Sequence, residues 1–131
     1  MAHPTMFDDA DPLLALVRER ARGFPGTAEK ISHGRPAFFT KKVFAYFGCS
    51  VRVDGVWIEH GQSIVVGVED DERVAMLADR RFFLPAYFDA SGWIACDLGH
   101  DTDWDEINEL LDASFRLTAP PKLVAQLNQR P

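Results

Sequence analysis

Between Arg18 and Arg52 the chain carries eight lysines and arginines against only Glu19 and Glu29. Cations at this density can hold phosphate oxygens and release condensed counterions, which gives affinity with little choice of sequence. The candidate contacts are Lys30, His33, Arg35, Lys41, Lys42 and Arg52, with His33 as a polar or stacking group. Phe38, Phe39, Phe44, Tyr46 and Phe47 interleave with them, and any exposed ring could stack on an unpaired base. Rings alternating along a strand more ordinarily fill a core. Lys41-Lys42 also has a second reading, since lysines at turns and sheet edges discourage strand-to-strand aggregation. The rest of the chain opposes phosphate: Val53 to Pro131 holds six basic and fifteen acidic residues, and the formal net charge is −6.

A different chemistry is offered by Trp57, Tyr87 and Trp93, aromatic residues with polar tips that could line a ligand or partner pocket between sheet and helices. The same residues more ordinarily serve as core side chains with one satisfied polar atom. His100, Asp101, Asp103 and Asp105 resemble the start of a calcium loop, but the sixth and twelfth positions hold Glu106 and Asp112 where glycine and glutamate are needed. No metal or other cofactor is expected. Cys49 and Cys96 belong to no CxxC pair and sit in alternating apolar segments, so they read as buried thiols. Such burial raises a thiol pKa, which argues against Cys49 acting as a nucleophile with His33 or His60. The signatures of common hydrolases, nucleotide-binding loops and zinc proteases are missing, and the expectation is a protein that is not an enzyme.

These residues need a scaffold. Asp11-Pro12 reads as the N-cap and first position of a helix whose apolar face is Leu13, Leu16, Val17 and Ala21, ended by Gly23 and Pro25-Gly26. From Glu29 to Val68 the pattern becomes short β-like segments: Lys30 to His33, Ala37 to Thr40, Val43 to Gly48, Val51 to Val53, Val56 to Glu59 and Ser63 to Val68. Gly34-Arg35-Pro36, Lys41-Lys42 and Asp54-Gly55 are the candidate turns, Asp-Gly being the strongest because a type I′ turn needs two positive φ angles. Glu69 to Asp71 opens a second helix with Val74, Leu77 and Ala78 facing inward. Phe82 to Phe88 and Trp93 to Leu98 form another strand pair around Ala90-Ser91-Gly92. Asp103 caps a third helix, with Glu106 completing a capping box and Trp104, Ile107, Leu110, Leu111 and Phe115 at helical spacing. Pro120-Pro121 stops that helix or starts a short final turn.

At 131 residues, 47% hydrophobic and 26% charged, the chain suits one domain with one core, spanning 1–131. No apolar run approaches a membrane span, and the acidic start, with Asp8, Asp9 and Asp11, is unlike a secretory signal. The expected location is the cytoplasm, with no membrane contact.

The ordered set Phe24-Pro25-Gly26-Thr27, Gly34-Arg35-Pro36-Ala37-Phe38, Lys41-Lys42-Val43-Phe44-Ala45, Phe83-Leu84-Pro85-Ala86-Tyr87, Trp93, Asp103-Trp104-Asp105-Glu106 and Leu110-Leu111-Asp112-Ala113-Ser114-Phe115 resembles the MmcQ/YjbR family of small bacterial proteins over most of the chain. The resemblance implies a single α+β domain, an antiparallel β-sheet meander backed by N-terminal, middle and C-terminal helices. It also implies DNA binding through a "double-wing" arrangement of hairpins, and no catalytic motif. Residues and resemblance together give a non-catalytic nucleic-acid-binding domain acting through a basic hairpin face. The alternative is a small-molecule- or protein-binding module that uses the aromatic pocket or a sheet edge.

Overall fold

A computed structural model describes residues 4–86 and 92–130. In chain order the elements are α1 (Pro12–Arg22), β1 (Ala28–Ser32), β2 (Arg35–Phe39), β3 (Val43–Val53), β4 (Val56–Gly67), α2 (Asp70–Leu77), β5 (Phe82–Phe83), β6 (Trp93–Asp97), α3 (Trp104–Thr118) and α4 (Pro121–Asn128). The strands make one antiparallel sheet in the order β1-β2-β3-β4-β6-β5. The single-domain α+β class with an antiparallel sheet is as expected, but the meander holds only for β1 to β4, because β6 is inserted between β4 and β5.

One face of the sheet carries the main core. Leu14, Val17 and Ala21 of α1 and Ile107, Leu111 and Phe115 of α3 close on Phe38, Phe44, Phe47, Ile64, Val66 and Ile94. Phe24 stacks on Phe115 at 5.1 Å, and Phe44 meets Phe115 edge-on at 5.4 Å. Ser114 joins helix to sheet: its Oγ donates to the Phe44 carbonyl at 2.5 Å and accepts from Gly67 N–H at 2.8 Å. The opposite face holds a smaller cluster of Cys49, Val65 and Ala95 with Tyr46, Phe83 and Trp93.

Local signals account for most boundaries. Asp11 accepts from Leu13 N–H and Asp103 from Asp105 and Glu106 N–H, so both are the expected caps. Glu106 does not complete a capping box; its carboxylate binds Arg81 instead. The β1–β2 turn falls at His33-Gly34, φ 53° and 81°, one step before the expected Gly34–Pro36. Pro36 is therefore strand, opposite Ile31 of β1 and one residue ahead of Ala37, where the paired register with β3 begins.

Four expected short segments are two long strands. Val43–Gly48 and Val51–Val53 fuse into β3, while Val56–Glu59 and Ser63–Val68 fuse into β4. Gly48 and Gly61 look like breaks but accommodate a register shift between Phe47 and Cys49, so pairing resumes beyond them. Val74 and Leu77 do not face inward: Val74 is 71% exposed, α2 buries no residue, and Met76 is its contact with the core. The expected Phe82 to Phe88 strand is confined to β5; Tyr87 and Phe88, with Ala90 and Ser91 of the expected turn, lie outside the described residues. Pro120-Pro121 follows the end of α3, and Pro121 opens the two-turn helix α4, in keeping with the expected short final turn. No helix among the described residues is long and apolar enough to cross a membrane.

Candidate functional site

The antiparallel path sends the expected phosphate contacts to two ends of the sheet. Lys41 and Lys42 form the β2–β3 turn and are exposed. Arg52 sits ten residues further along β3, roughly 33 Å away at the usual rise per residue. The β1–β2 turn with His33 belongs to Arg52's end, since β1 and β3 run the same way.

Arg35 leaves the set altogether. It is 7% exposed, and its Nη2 donates to Glu59 Oε2 at 2.6 Å and to Ser50 Oγ at 3.2 Å. Ser50 Oγ donates in turn to Glu59 Oε1 at 2.6 Å. The guanidinium lies over Gly48, where a Cβ would come within 2.6 Å of Nη1. A guanidinium enclosed in this way ties β2 to the foot of the β3–β4 hairpin and is not presented to a phosphate. The Ser50 hydrogen bond, helped by Arg35, holds the Glu59 carboxyl below its ordinary pKa.

The cations that do converge lie at the β2–β3 turn. Lys30 leans over the Phe39 ring at 4.8 Å, toward Lys41 and Lys42. Helix α4 reaches this side of the sheet through Leu123, which packs against Gly26, two residues before β1 starts at Ala28 opposite Phe39. Lys30, Lys41 and Lys42 form no ion pair with a described residue. The acidic first turn of α2, Asp70 to Glu72, follows the same end of β4 and limits the positive surface to the β1–β3 half. Phe38, Phe44 and Phe47 are fully buried and cannot stack on bases.

At the other end, β3 and β4 run past their neighbours as a two-stranded arm turned by Asp54-Gly55, φ 50° and 79°. The register puts Val51, Val53, Val56, Ile58 and His60 on one face and Ser50, Arg52, Trp57 and Glu59 on the other. The aromatic pocket expected from Trp57, Tyr87 and Trp93 does not bring its two described members together. Trp57 is on the arm beneath the Arg52 guanidinium, 5.1 Å from the ring centre, whereas Trp93 pairs with Gly67 at the far end of β4 and meets Tyr46 edge-on. Tyr87 lies outside the described residues.

A groove of about 660 Å³ opens instead beside the arm, between Val51 and Val53, the Arg80–Leu84 segment and the start of α3. His60 lies in it, its Nδ1 2.7 Å from Asp97 Oδ1 and its ring 4.4 Å from that of Phe83. Arg81 is engaged by Asp79 and Glu106. The thiols fit their expected role: Cys49 Sγ lies 3.3 Å from Ser63 Oγ, and burial pushes Cys49 up and Cys96 up to about 12. No group of His, Cys, Asp and Glu among the described residues is arranged to hold a metal ion.

A sheet of this order, with two helices on one face and a hairpin arm, is a known arrangement. The YjbR family model matches residues 22–117, and the chain belongs to that family. Among solved structures, it is similar to a Deinococcus radiodurans protein with a DUF419 domain, at 12% identity and TM-score 0.58 over 89% of this chain and 88% of that one. A Pseudomonas syringae protein is similar at 16% identity and TM-score 0.57, covering 82% of this chain and 98% of its own. Both likenesses concern the fold. No curated protein matches.

Proposed function

We propose that this YjbR-family domain is a non-catalytic cytoplasmic protein that contacts nucleic-acid backbone, with little sequence selectivity, at the β2–β3 end of its sheet. The observation that carries this reading is the exposed Lys41-Lys42 turn with Lys30 leaning toward it over Phe39, without an ion-pairing acid among the described residues. Arg35 has no part in it, and Arg52 and His33 lie at the opposite end. Buried thiols with raised pKa values are consistent with the absence of a cysteine nucleophile from the proposal.

About three phosphate contacts would make log K fall with log salt at a slope of roughly −3. The net charge of −6 opposes binding by long-range repulsion, most of all at low salt. The test is titration of fluorescent single- and double-stranded DNA across a salt series with wild type and Lys41→Glu/Lys42→Glu. Binding that weakens with salt and drops about tenfold or more in the folded double variant supports the reading. No binding even at low salt rejects it.

A further inference from the structure

All four helices make their core contacts on one face of the sheet, through Leu14, Met76, Ile107 and Leu123 among others. The opposite face carries rings at its lysine end. Phe39 follows the core residue Phe38 and so points away from the helices, beneath Lys30. Tyr46 shares that face, opposite Ala37, which also pairs with Lys30. Trp93 meets Tyr46 edge-on at 5.7 Å. The strand directions put the end of β2 and the starts of β3 and β6 at one end of the sheet, where Lys41 and Lys42 make their turn. From Phe39 on β2 to Trp93 on β6 is three strand spacings, about 14 Å. All three rings are half-buried, whereas Phe38, Phe44 and Phe47 are fully enclosed. Acids are kept off this part of the face: Glu29 of β1 is held by Arg18 and Arg22 of α1, and β2 and β3 contain none.

We propose that Phe39, Tyr46 and Trp93 form a stacking platform for the unpaired bases of single-stranded nucleic acid, with Lys30, Lys41 and Lys42 holding the flanking phosphates. This inference rests on the nucleic-acid reading above and narrows it. Bases in a duplex are stacked on one another and offer only their edges, so rings can receive them only from a single strand, whereas lysines alone serve either form. The span suits two or three bases, the number an open sheet face ordinarily takes. A base over Phe39 displaces the Lys30 ammonium, since an exposed cation–π contact is weaker than base–ring stacking, and frees that cation for phosphate.

The test is anisotropy titration of the full chain with labelled oligo-dT and oligo-U, against a duplex of equal length at matched salt. Either single strand should bind about tenfold tighter than the duplex. Phe39→Leu, which keeps an apolar side chain, should weaken single-strand binding about tenfold, the worth of one stacked base, and leave duplex binding and circular dichroism unchanged. Photocrosslinking of the wild type to an oligonucleotide carrying iodouracil needs no substitution and should label Phe39, Tyr46 or Trp93; it decides the matter if Phe39→Leu disturbs the fold. Salt-sensitive binding that is equal for single strand and duplex, or crosslinks confined to residues away from the three rings, overturns the platform while leaving phosphate contact standing. Binding of neither form removes both.

Discussion

Arg35 Nη2 lies 2.6 Å from Glu59 Oε2, across a sequence separation of 24 residues. The pair, completed by Ser50, joins the second strand to the foot of the β3–β4 arm.

Removing Arg35 should therefore be costly. Arg35→Met strips the charged partner from Glu59 and the donor from Ser50, and a loss of roughly 1–3 kcal/mol in urea unfolding is expected. Arg35→Lys should recover only part of it, because one ammonium cannot reproduce the two directed contacts of the guanidinium. A Lys variant as stable as wild type would show that charge alone matters here. The same network sets a pH dependence. Glu59 has a lowered folded pKa, through Ser50 first and Arg35 second. Its contribution is thus complete above the unfolded carboxylate value of about 4.3 and disappears as pH falls through the lower folded value. The stability gap between wild type and Glu59→Gln should shrink over that acidic window; a gap constant down to the acid limit would contradict the assignment.

Gly48 and Gly55 give a matched comparison. Both have positive φ, 85° and 79°, but a Cβ at Gly55 meets nothing within 4 Å, whereas one at Gly48 lies 2.6 Å from Arg35 Nη1 and 3.0 Å from the Gly61 carbonyl oxygen. Gly55→Ala should cost about 1 kcal/mol, the backbone penalty alone. Gly48→Ala should cost distinctly more in the same denaturation assay, and combining it with Arg35→Met should reveal non-additive coupling. Equal single-variant costs would mean that the guanidinium gives way freely.

The thiols should be inert in the folded protein. With Cys96 near 12 and Cys49 also raised by burial, reaction with an aromatic disulfide reagent at neutral pH should be slow and should follow unfolding of the chain. Two thiols titrating rapidly without denaturant would show that the sheet opens far more readily than its packing implies.

The sequence discloses what is decided locally. Asp11-Pro12 and Asp103 mark helix starts through their own side chains, Asp54-Gly55 makes its turn through its own dihedral preferences, and Lys41-Lys42 is a turn with exposed cations as read. Features decided by distant partners stay hidden. Arg35 looks like one more surface cation until β3 and β4 bring Ser50 and Glu59 against it. Gly48 and Gly61 look like chain breaks until two strands are seen to pair on both sides of them. Val74 and Leu77 keep helical spacing, yet α2 lies outside the main core and leaves Val74 in solvent. The groove has no sequence signature because its walls come from β3, the segment around β5 and α3.

The length of β3 governs how its two ends can communicate. Roughly 33 Å separates Lys42 from Arg52, about four screening lengths at physiological ionic strength. A charge placed at either end is almost invisible electrostatically at the other. Any coupling between them must travel mechanically, as a change in the twist or rigidity of a continuous ribbon, and so would persist at salt concentrations that abolish ionic contacts.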